Sequence, residues 1–147
     1  MPIDIGLTHV ALCATDLTAS LAFYAKYANM HIVHDRQDED GRVVWISDRT
    51  RPFVVVLMQA KDPGTILKPF AHLGVGCASR DEVDRLCALA REEGVLVREP
   101  EDSGPPVGYW AFLRDPDGHT LELAHGQEVG LTVSDSDSDS DPVSAPD

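Results

Sequence analysis

The sequence predicts an α+β protein built from two tandem modules that share the order β-α-β-β-β. Strand-like and helix-like hydrophobic periodicities follow one another in this order twice along the chain. A histidine stands at the third position of the opening strand of each half, at His9 and His72. The segment 61–69, which contains two prolines and a glycine, separates the halves. A repeat of this length is too long for a solenoid and indicates a pseudo-symmetric pair of modules.

The first module begins with a β-like run at residues 7–12. Thr15 and Asp16 then supply an N-cap signal, and apolar residues recur at helical spacing from Leu17 to Ala28. Polar, turn-forming segments separate the β-like runs that come next. These runs lie at residues 30–34, 43–46 and 53–58.

The second module repeats this order. A strand at residues 70–77 precedes a helix that begins at Ser79 or Arg80 and ends at Glu93, where Gly94 is a natural C′ residue. Three further strands are predicted at residues 95–97, 108–113 and 120–124. The motif Arg-Asp-Pro-Asp-Gly at 114–118 predicts a tight turn between the last two strands.

The composition narrows the function classes. The formal net charge is −13, and an acidic surface repels phosphate backbones and anionic lipids, so neither nucleic acid nor a membrane is an expected partner. The three cysteines are an odd number without a CxxC pair, which predicts neither a disulfide framework nor a thiolate zinc site. The sequence shows no apolar run of membrane-spanning length and no signal peptide pattern. We therefore expect a cytoplasmic protein.

The C-terminal segment differs in composition from the rest of the chain. Residues 131–147 contain five Asp and no Lys or Arg, in a Ser-Asp alternation with too little apolar content to fold. We predict one folded domain at 1–128, with module one at about 5–60 and module two at about 70–125, and an acidic disordered tail at 129–147. A phosphorylatable or interacting segment is the alternative for this tail.

Three residues could together hold a metal ion. His9, His72 and Glu122 each lie in a predicted strand among apolar neighbours. A carboxylate in such a strand is costly to bury without a counter-charge, and a cation removes that cost. Two imidazoles and one carboxylate suit Fe(II), Mn, Co, Ni or Zn and leave coordination positions for a substrate. For each histidine taken alone, the alternative is a hydrogen-bonded core or edge residue.

Four motifs resemble those of the glyoxalase, bleomycin-resistance and extradiol-dioxygenase superfamily, also called vicinal oxygen chelate. They are Leu-Thr-His-Val-Ala-Leu at 7–12, the helix motif from Asp16 to Tyr24, Phe-Ala-His-Leu-Gly-Val at 70–75, and Arg-Asp-Pro-Asp-Gly-His-Thr-Leu-Glu-Leu at 114–123. The resemblance covers about residues 5–125. The turn that leads into Leu-Glu-Leu is its most specific part.

The resemblance implies a fold and a site. The two modules are expected to form an incompletely closed eight-stranded barrel that holds one divalent metal ion (Fe, Mn, Ni, Co or Zn) inside. His9 and His72 match the opening-strand ligands of the two modules, and Glu122 matches the closing-strand ligand of the second. The implied substrate is a small molecule that chelates the metal through adjacent oxygens. A homodimer is also implied. The barrel would be completed either within one subunit or by exchange of modules between the two subunits.

The sequence departs from the family pattern in the closing strand of the first module. Residues 53–58 contain no acidic residue there, and only Gln59, at the end of the strand, could supply an oxygen. We therefore predict a three-ligand centre, unlike that of glyoxalase I. The segment 105–113 also lacks the acid-base histidine of the ring-cleaving dioxygenases.

The resemblance implies a metal-dependent lyase or isomerase, or a dioxygenase, and we predict Glu122 and Tyr109 as its catalytic residues. Either Tyr109 or Trp110 is expected to point into the barrel. His119 and His125 are interpreted as solvated flanks of the closing strand. The alternative function is a metal-free small-molecule-binding protein of the bleomycin-resistance type.

Overall fold

A computed structural model describes residues 6–68 and 70–130 of the chain. The first module consists of β1 (His9–Ala14), α1 (Leu17–Ala28), β2 (His31–Asp38), β3 (Gly41–Ser47) and β4 (Val54–Gln59). The second consists of β5 (His72–Gly76), α2 (Arg80–Glu92), β6 (Leu96–Asp102), β7 (Tyr109–Arg114) and β8 (Thr120–His125). The predicted α+β class with two β-α-β-β-β modules is confirmed. From residue 131 onwards, the predicted tail lies outside the described residues.

Both helices begin at the residues that the sequence indicated. The side chains of Asp16 and Ser79 each accept a hydrogen bond of 3.1 Å from the backbone N–H three residues ahead. Such N-caps satisfy an amide that has no partner inside the helix. The chain leaves α1 through Asn29 and α2 through Gly94, at φ 52° and 74° respectively, and this left-handed conformation ends a helix. None of the helices in the described part of the chain is long and apolar enough to span a membrane.

The first sheet has the strand order β1-β4-β3-β2. Strands β1 and β4 run parallel, with His9 paired to Val54 and Ala11 paired to Val56. Strand β3 runs antiparallel to β4 and sets Trp45 opposite Val56. Because directly paired residues project to the same side of a sheet, His9, Val54, Val56 and Trp45 share one face.

The opposite face of the first sheet forms the core of this module. It carries Val44, Ile46, Val55 and Leu57, each at most 1% exposed. Helix α1 packs against β2 and β4, and its side chains Tyr24 and Tyr27 are buried as well. Each fully buried aliphatic side chain stabilises the fold by about 1.5–3 kcal/mol. The helix therefore covers the face opposite to His9.

The second sheet has the strand order β5-β8-β7-β6. Strands β6 and β7 are antiparallel, with register shifts that split the ladder, and α2 packs on β6. The central strand β8 is buried from Thr120 to Ala124. Its neighbour β5 is short, and its residues alternate between exposed and half-buried positions.

The chain divides into two compact units. Unit 1 comprises Met1–His72 and Arg114–Leu121, and unit 2 comprises Leu73–Leu113 and Glu122–Asp147. The turn between β7 and β8 thus belongs to unit 1, although it lies in the second half of the sequence. The grouping of residues 1–128 into a single domain stays a prediction.

Candidate metal ligands and a ligand cavity

His9 lies on the face of the first sheet that α1 does not cover. It is exposed, and its Nδ1 lies 2.8 Å from the hydroxyl oxygen of Thr8. Its direct neighbour across the parallel ladder is Val54. The register of β1 and β4 thus places His9 on the face opposite to the buried residues Val55 and Leu57.

Unit 1 contains a cavity of about 440 Å³, and His9 forms part of its wall. Much of the wall is apolar and includes Trp45 and Phe53. Two cationic side chains, Arg49 and Arg51, also line it. A cavity of this size can hold a small organic molecule.

The loop that carries the two arginines connects β3 to β4 and is held by its own hydrogen bonds. The carboxylate of Asp48 accepts hydrogen bonds from the N–H and the hydroxyl of Thr50, at 2.9 and 2.6 Å. Burial raises the pKa of Asp48, but these hydrogen bonds and the charge of Arg51 together hold that pKa below its usual value. The N–H of Arg49 donates to the hydroxyl of Ser47 at 2.9 Å, and Arg49 itself has φ 61°.

His72 opens β5 and is exposed. Its Nδ1 lies 3.2 Å from the carbonyl oxygen of Phe70. A carbonyl oxygen only accepts, so Nδ1 carries the proton in this contact and Nε2 of the neutral ring carries the lone pair. Metal-bound histidines adopt this arrangement, in which the second nitrogen donates to a fixed acceptor.

Glu122 is the third residue of β8 and only 8% exposed. The side-chain amide of Gln127 donates to its Oε2 at 3.0 Å. A Cβ atom placed on Gly74 would lie 3.3 Å from the same oxygen, so glycine leaves room for the carboxylate. His72 and Gly74 alternate with half-buried residues and lie on the same face of β5. A buried carboxylate needs hydrogen bonds or a counter-charge to offset its lost hydration.

The three predicted ligands are divided between the units: His9 and His72 belong to unit 1 and Glu122 to unit 2. Across residues 6–68 and 70–130, no group of three or more His, Cys, Asp or Glu side chains is gathered as a metal site. The joint ligand set therefore stays a prediction.

Tyr109, predicted to be catalytic, is engaged with α2. Its hydroxyl donates to the carboxylate of Asp84, and the guanidinium carbon of Arg80 lies 3.9 Å from the centroid of its ring. The hydrogen bond to Asp84 raises the pKa of Tyr109, so the phenol stays protonated. These contacts do not support a role for Tyr109 as a base. Trp110, the next residue along the strand, donates from Nε1 to the hydroxyl of Ser103 at 2.8 Å.

Gln59 does not lie where a fourth ligand would be needed. It pairs with Ala14 at the end of β4, whereas His9 pairs with Val54. Residues alternate between faces along a strand, so Gln59 projects to the side opposite to His9 and Val54. Val56, the third residue of β4, occupies the position that Glu122 has in β8. An aliphatic side chain thus lies where the resemblance to glyoxalase I would imply a fourth ligand.

The turn at 114–118 is held to α1 and to the residue that precedes β8 by hydrogen bonds of Asp115. Asp115 is 4% exposed and accepts a hydrogen bond of 2.8 Å from the hydroxyl of Tyr24 in α1. It also accepts from the N–H groups of Asp117 and His119, both at 2.9 Å. Burial and the charge of Asp115 raise the pKa of the Tyr24 phenol above its usual value.

The interpretation of His119 as a solvated flank is wrong. The residue is 1% exposed, and its Nδ1 accepts a hydrogen bond of 3.1 Å from the N–H of Leu67. With Nδ1 as acceptor, Nε2 carries the proton and donates it to the carbonyl of Cys13 at 3.2 Å. His125 is not fully solvated either: it is half-buried, and its Nδ1 donates to the carbonyl of Cys77 at 3.0 Å. Both rings bind backbone groups far away in the sequence.

Two residues of the cavity wall, Arg49 and Arg51, were not singled out from the sequence. The run Arg-Thr-Arg at 49–51 is a local concentration of positive charge in a chain of net charge −13. This contrast in charge could have indicated a binding site. It was missed because the segment was interpreted only as a connection between two strands.

The family assignment follows from comparison with known proteins. The sequence profile of the Glyoxalase/Bleomycin resistance protein/Dioxygenase superfamily matches residues 6–123. The chain belongs to this superfamily. An uncharacterized protein of Pseudomonas aeruginosa is 36% identical over 127 residues, which span 84% of this chain and 91% of that protein. A lactoylglutathione lyase of Salmonella typhimurium is 26% identical over 136 residues, 84% of this chain and 95% of the lyase.

Solved structures share the fold. A single-residue mutant of the fosfomycin resistance protein FosX of Listeria monocytogenes, in complex with Mn(II) and 1S,2S-dihydroxypropylphosphonic acid, aligns with a TM-score of 0.67 at 17% identity, covering 90% of this chain and 98% of FosX. An antibiotic binding protein of Streptomyces, TnmS3, aligns with a TM-score of 0.64 at 21% identity, covering 85% and 98%. At these identities the likeness shows the fold alone, and it agrees with the fold class predicted from the sequence.

Proposed function

We propose that this protein is a metal-dependent enzyme of its superfamily and acts on a small substrate that binds the metal through two adjacent oxygens. The proposed ligands of one divalent ion are His9, His72 and Glu122. Similarity to a lactoylglutathione lyase favours lyase or isomerase chemistry over dioxygen chemistry. The aliphatic Val56 at the fourth ligand position leaves three protein ligands and open coordination positions.

Glu122 is the observation that carries the proposal. This carboxylate is only 8% exposed, lies inside the run Leu-Glu-Leu of a central strand, and matches the position that the resemblance implies for a metal ligand. Gly74 on the adjacent strand β5 leaves space at its Oε2. Burial of a carboxylate costs free energy that a bound cation would return.

The chemistry of the donors fits a divalent first-row metal. Imidazole nitrogen and carboxylate oxygen are ligands for Fe(II), Mn, Co, Ni and Zn. Nδ1 of His72 donates a hydrogen bond to the carbonyl of Phe70, so Nε2 is the atom that would bind the metal. The amide of Gln127 fixes one oxygen of Glu122, as outer hydrogen bonds do for metal-binding carboxylates.

The chain's own residues define what the proposed site can do. When bound, the metal would act as a Lewis acid that stabilises negative charge developing on a substrate oxygen. Glu122 would exchange a proton with the substrate while Gln127 keeps the carboxyl group oriented. We assign no proton transfer to Tyr109, because its single O–H already donates to Asp84 and this bond raises the pKa of its phenol.

The proposal is tested by metal stoichiometry. Purified protein is freed of metal, loaded separately with Fe(II), Mn, Co, Ni or Zn, desalted and analysed by elemental mass spectrometry. We expect about one ion per chain with at least one of these metals. His72→Ala and Glu122→Gln should lower the affinity by more than the roughly 10–100-fold that loss of an outer hydrogen-bond partner costs.

His31→Ala is the matched control, because it removes an exposed imidazole of β2 that bonds to Asn29 and is not a proposed ligand. It should retain the ion. A wild-type protein that holds none of the five metals after loading would rule out the metal-dependent enzyme.

A metal-free binding protein is the second candidate, and the cavity favours it. The cavity is formed by residues of unit 1 alone, and most of its wall is apolar. TnmS3, which shares the fold, is an antibiotic binding protein. Binding of an apolar small molecule by a chain that takes up none of the five metals would favour this function.

We also propose that the protein is a cytoplasmic homodimer. All eight residues of β2, an edge strand of the first sheet, are exposed in the single chain, and Ile32 and Val33 are 43% and 41% exposed. An edge strand with apolar side chains is a typical site of association. Light scattering coupled to gel filtration should give twice the 16.0 kDa chain mass, and a single-chain mass would contradict the dimer.

A further inference from the structure

Most arginines of the described residues are paired with a carboxylate. Six of them form ion pairs with carboxylates at 2.5–3.0 Å. These pairs are Arg36–Asp38, Arg42–Asp35, Arg80–Asp102, Arg85–Glu82, Arg91–Glu99 and Arg98–Glu101. Arg49 and Arg51 form no such pair within residues 6–68 and 70–130, although Asp48 lies near enough to interact electrostatically with Arg51. Nε of Arg51 donates to the hydroxyl of Thr50 at 3.4 Å, but neither arginine has an ion-paired carboxylate among the described residues.

Both of these arginines line the cavity of unit 1. The remaining wall is largely apolar, and Trp45 and Phe53 contribute its aromatic part. Guanidinium groups bind carboxylates and phosphate-like groups through two parallel hydrogen bonds. The wall therefore offers cationic groups for an oxyanion next to aromatic and aliphatic side chains for an apolar body.

The loop is ordered before any ligand arrives. Asp48 is fixed by two hydrogen bonds from Thr50, and Arg49 is held at φ 61° by its bond to the buried Ser47. A positive φ at a non-glycine residue costs free energy that the surrounding contacts must offset, and such residues cluster at binding sites. A pre-ordered loop loses little conformational entropy when its side chains bind a ligand.

We propose that Arg49 and Arg51 bind the oxyanion group of a small amphiphilic ligand, a carboxylate or a phosphonate, whose apolar body packs against Trp45 and Phe53 in the cavity. His9 is part of the same wall and is a proposed metal ligand. The ligand is therefore assigned as the substrate class of the enzyme. That assignment rests on the proposed function, whereas the binding itself does not require a metal.

The test uses a matched pair of probes, 2-naphthoate and its neutral isostere 2-naphthamide. Their dissociation constants are measured by calorimetry with chelator-treated protein at pH 7.5. We expect wild type to bind the carboxylate about tenfold more tightly than the amide, as charge-assisted hydrogen bonds predict. The variant R49Q/R51Q should bring this ratio to about one without changing the affinity for the amide.

Two further variants serve as controls. R49K/R51K retains the charges and should keep part of the carboxylate preference, which separates loss of charge from damage to the loop. Arg85→Gln removes the same charge from an ion pair in α2, outside the cavity, and should leave the ratio unchanged.

The outcomes separate this inference from the metal centre. Equal affinities in wild type, or a preference that survives R49Q/R51Q, overturn the arginine site. A preference that appears only after metal loading also overturns it, because the metal then binds the carboxylate. A preference in a protein that takes up none of the five metals supports the arginine site while the proposed enzyme function fails.

Discussion

The two modules share an order of elements but differ at one pair of facing positions. In the second module, Glu122 of β8 approaches Gly74, the third residue of β5. In the first module, the third residues of the corresponding strands are Val56 and Ala11, which pair directly. In each module, the larger side chain thus faces a smaller residue on the neighbouring strand. The comparison teaches that one module is built to accommodate a carboxylate and the other an apolar wall.

The modules also differ in how closely a glycine approaches the backbone of a neighbouring segment. Gly41 begins β3, and a Cβ atom on it would lie 3.4 Å from the carbonyl oxygen of Gln59. Gly108 precedes β7, and a Cβ atom on it would lie 2.5 Å from the carbonyl oxygen of His125. Both glycines have positive φ, at 139° and 84°. The close approach therefore distinguishes the second module from the first.

Gly108→Ala should have the largest effect on stability. Positive φ costs about 1–3 kcal/mol for a residue with a side chain, and forced overpacking adds about 1–3 kcal/mol. We expect a loss of about 4 kcal/mol for Gly108→Ala and about 2 kcal/mol for Gly41→Ala, measured by urea denaturation. Equal losses in the two variants would show that only φ matters and that the close approach does not.

The helices differ at their eighth residues, Tyr24 in α1 and Cys87 in α2. Tyr24 donates to the buried Asp115, while Cys87 is fully buried and its pKa is raised to about 11 by burial. Tyr24→Phe should cost about 2 kcal/mol at pH 7, because the variant removes a hydrogen bond to a buried charged group. This loss is again measured by urea denaturation.

The contribution of Tyr24 should depend on pH with a defined sign. Burial and Asp115 raise the pKa of Tyr24 in the folded chain above the unfolded value of 10.0. Its stabilising contribution is therefore complete below pH 10 and declines as the pH rises above it. The difference in unfolding free energy between wild type and Tyr24→Phe should narrow between pH 9 and pH 11. A difference that stays constant over this range would contradict the assignment.

Gly74→Ala should have the smallest effect on stability and a selective effect on metal binding. The added Cβ would lie 3.3 Å from Oε2 of Glu122, so the carboxylate must shift by a few tenths of an ångström. We expect the affinity for the proposed metal to fall about tenfold, comparable to loss of an outer hydrogen-bond partner. The unfolding free energy should change by less than about 1 kcal/mol.

Gly76→Ala is the matched control for this prediction. Gly76 lies on the same face of β5, and a Cβ atom there meets nothing within 4 Å. Metal affinity should therefore be unchanged in Gly76→Ala. Equal effects of the two variants would mean that the space at Glu122 is not what Gly74 provides.

The sequence predicted those features that depend on near neighbours. Alternation and capping residues such as Asp16 and Ser79 correctly predicted both helices and the order of elements along the chain. His119 was misinterpreted because Cys13, one of its two hydrogen-bond partners, lies 106 residues away, which no local pattern reveals. Strand alternation alone could have predicted that the side chain of Gln59 projects to the side of β4 opposite to Val54. The possible use of Arg49 and Arg51 required the cavity to be seen.

The turn at 114–118 has a consequence for the synthesis of the chain. Asp115 bonds to Tyr24 of α1 across a separation of 91 residues, and Asp117 bonds to Thr15, between β1 and α1, across 102 residues. His119, next to the turn, bonds to Cys13 of β1 across 106 residues. Closing such loops costs more conformational entropy than closing short ones, and it slows folding. A nascent chain therefore holds a complete set of first-module residues long before the ribosome has produced the turn that secures them.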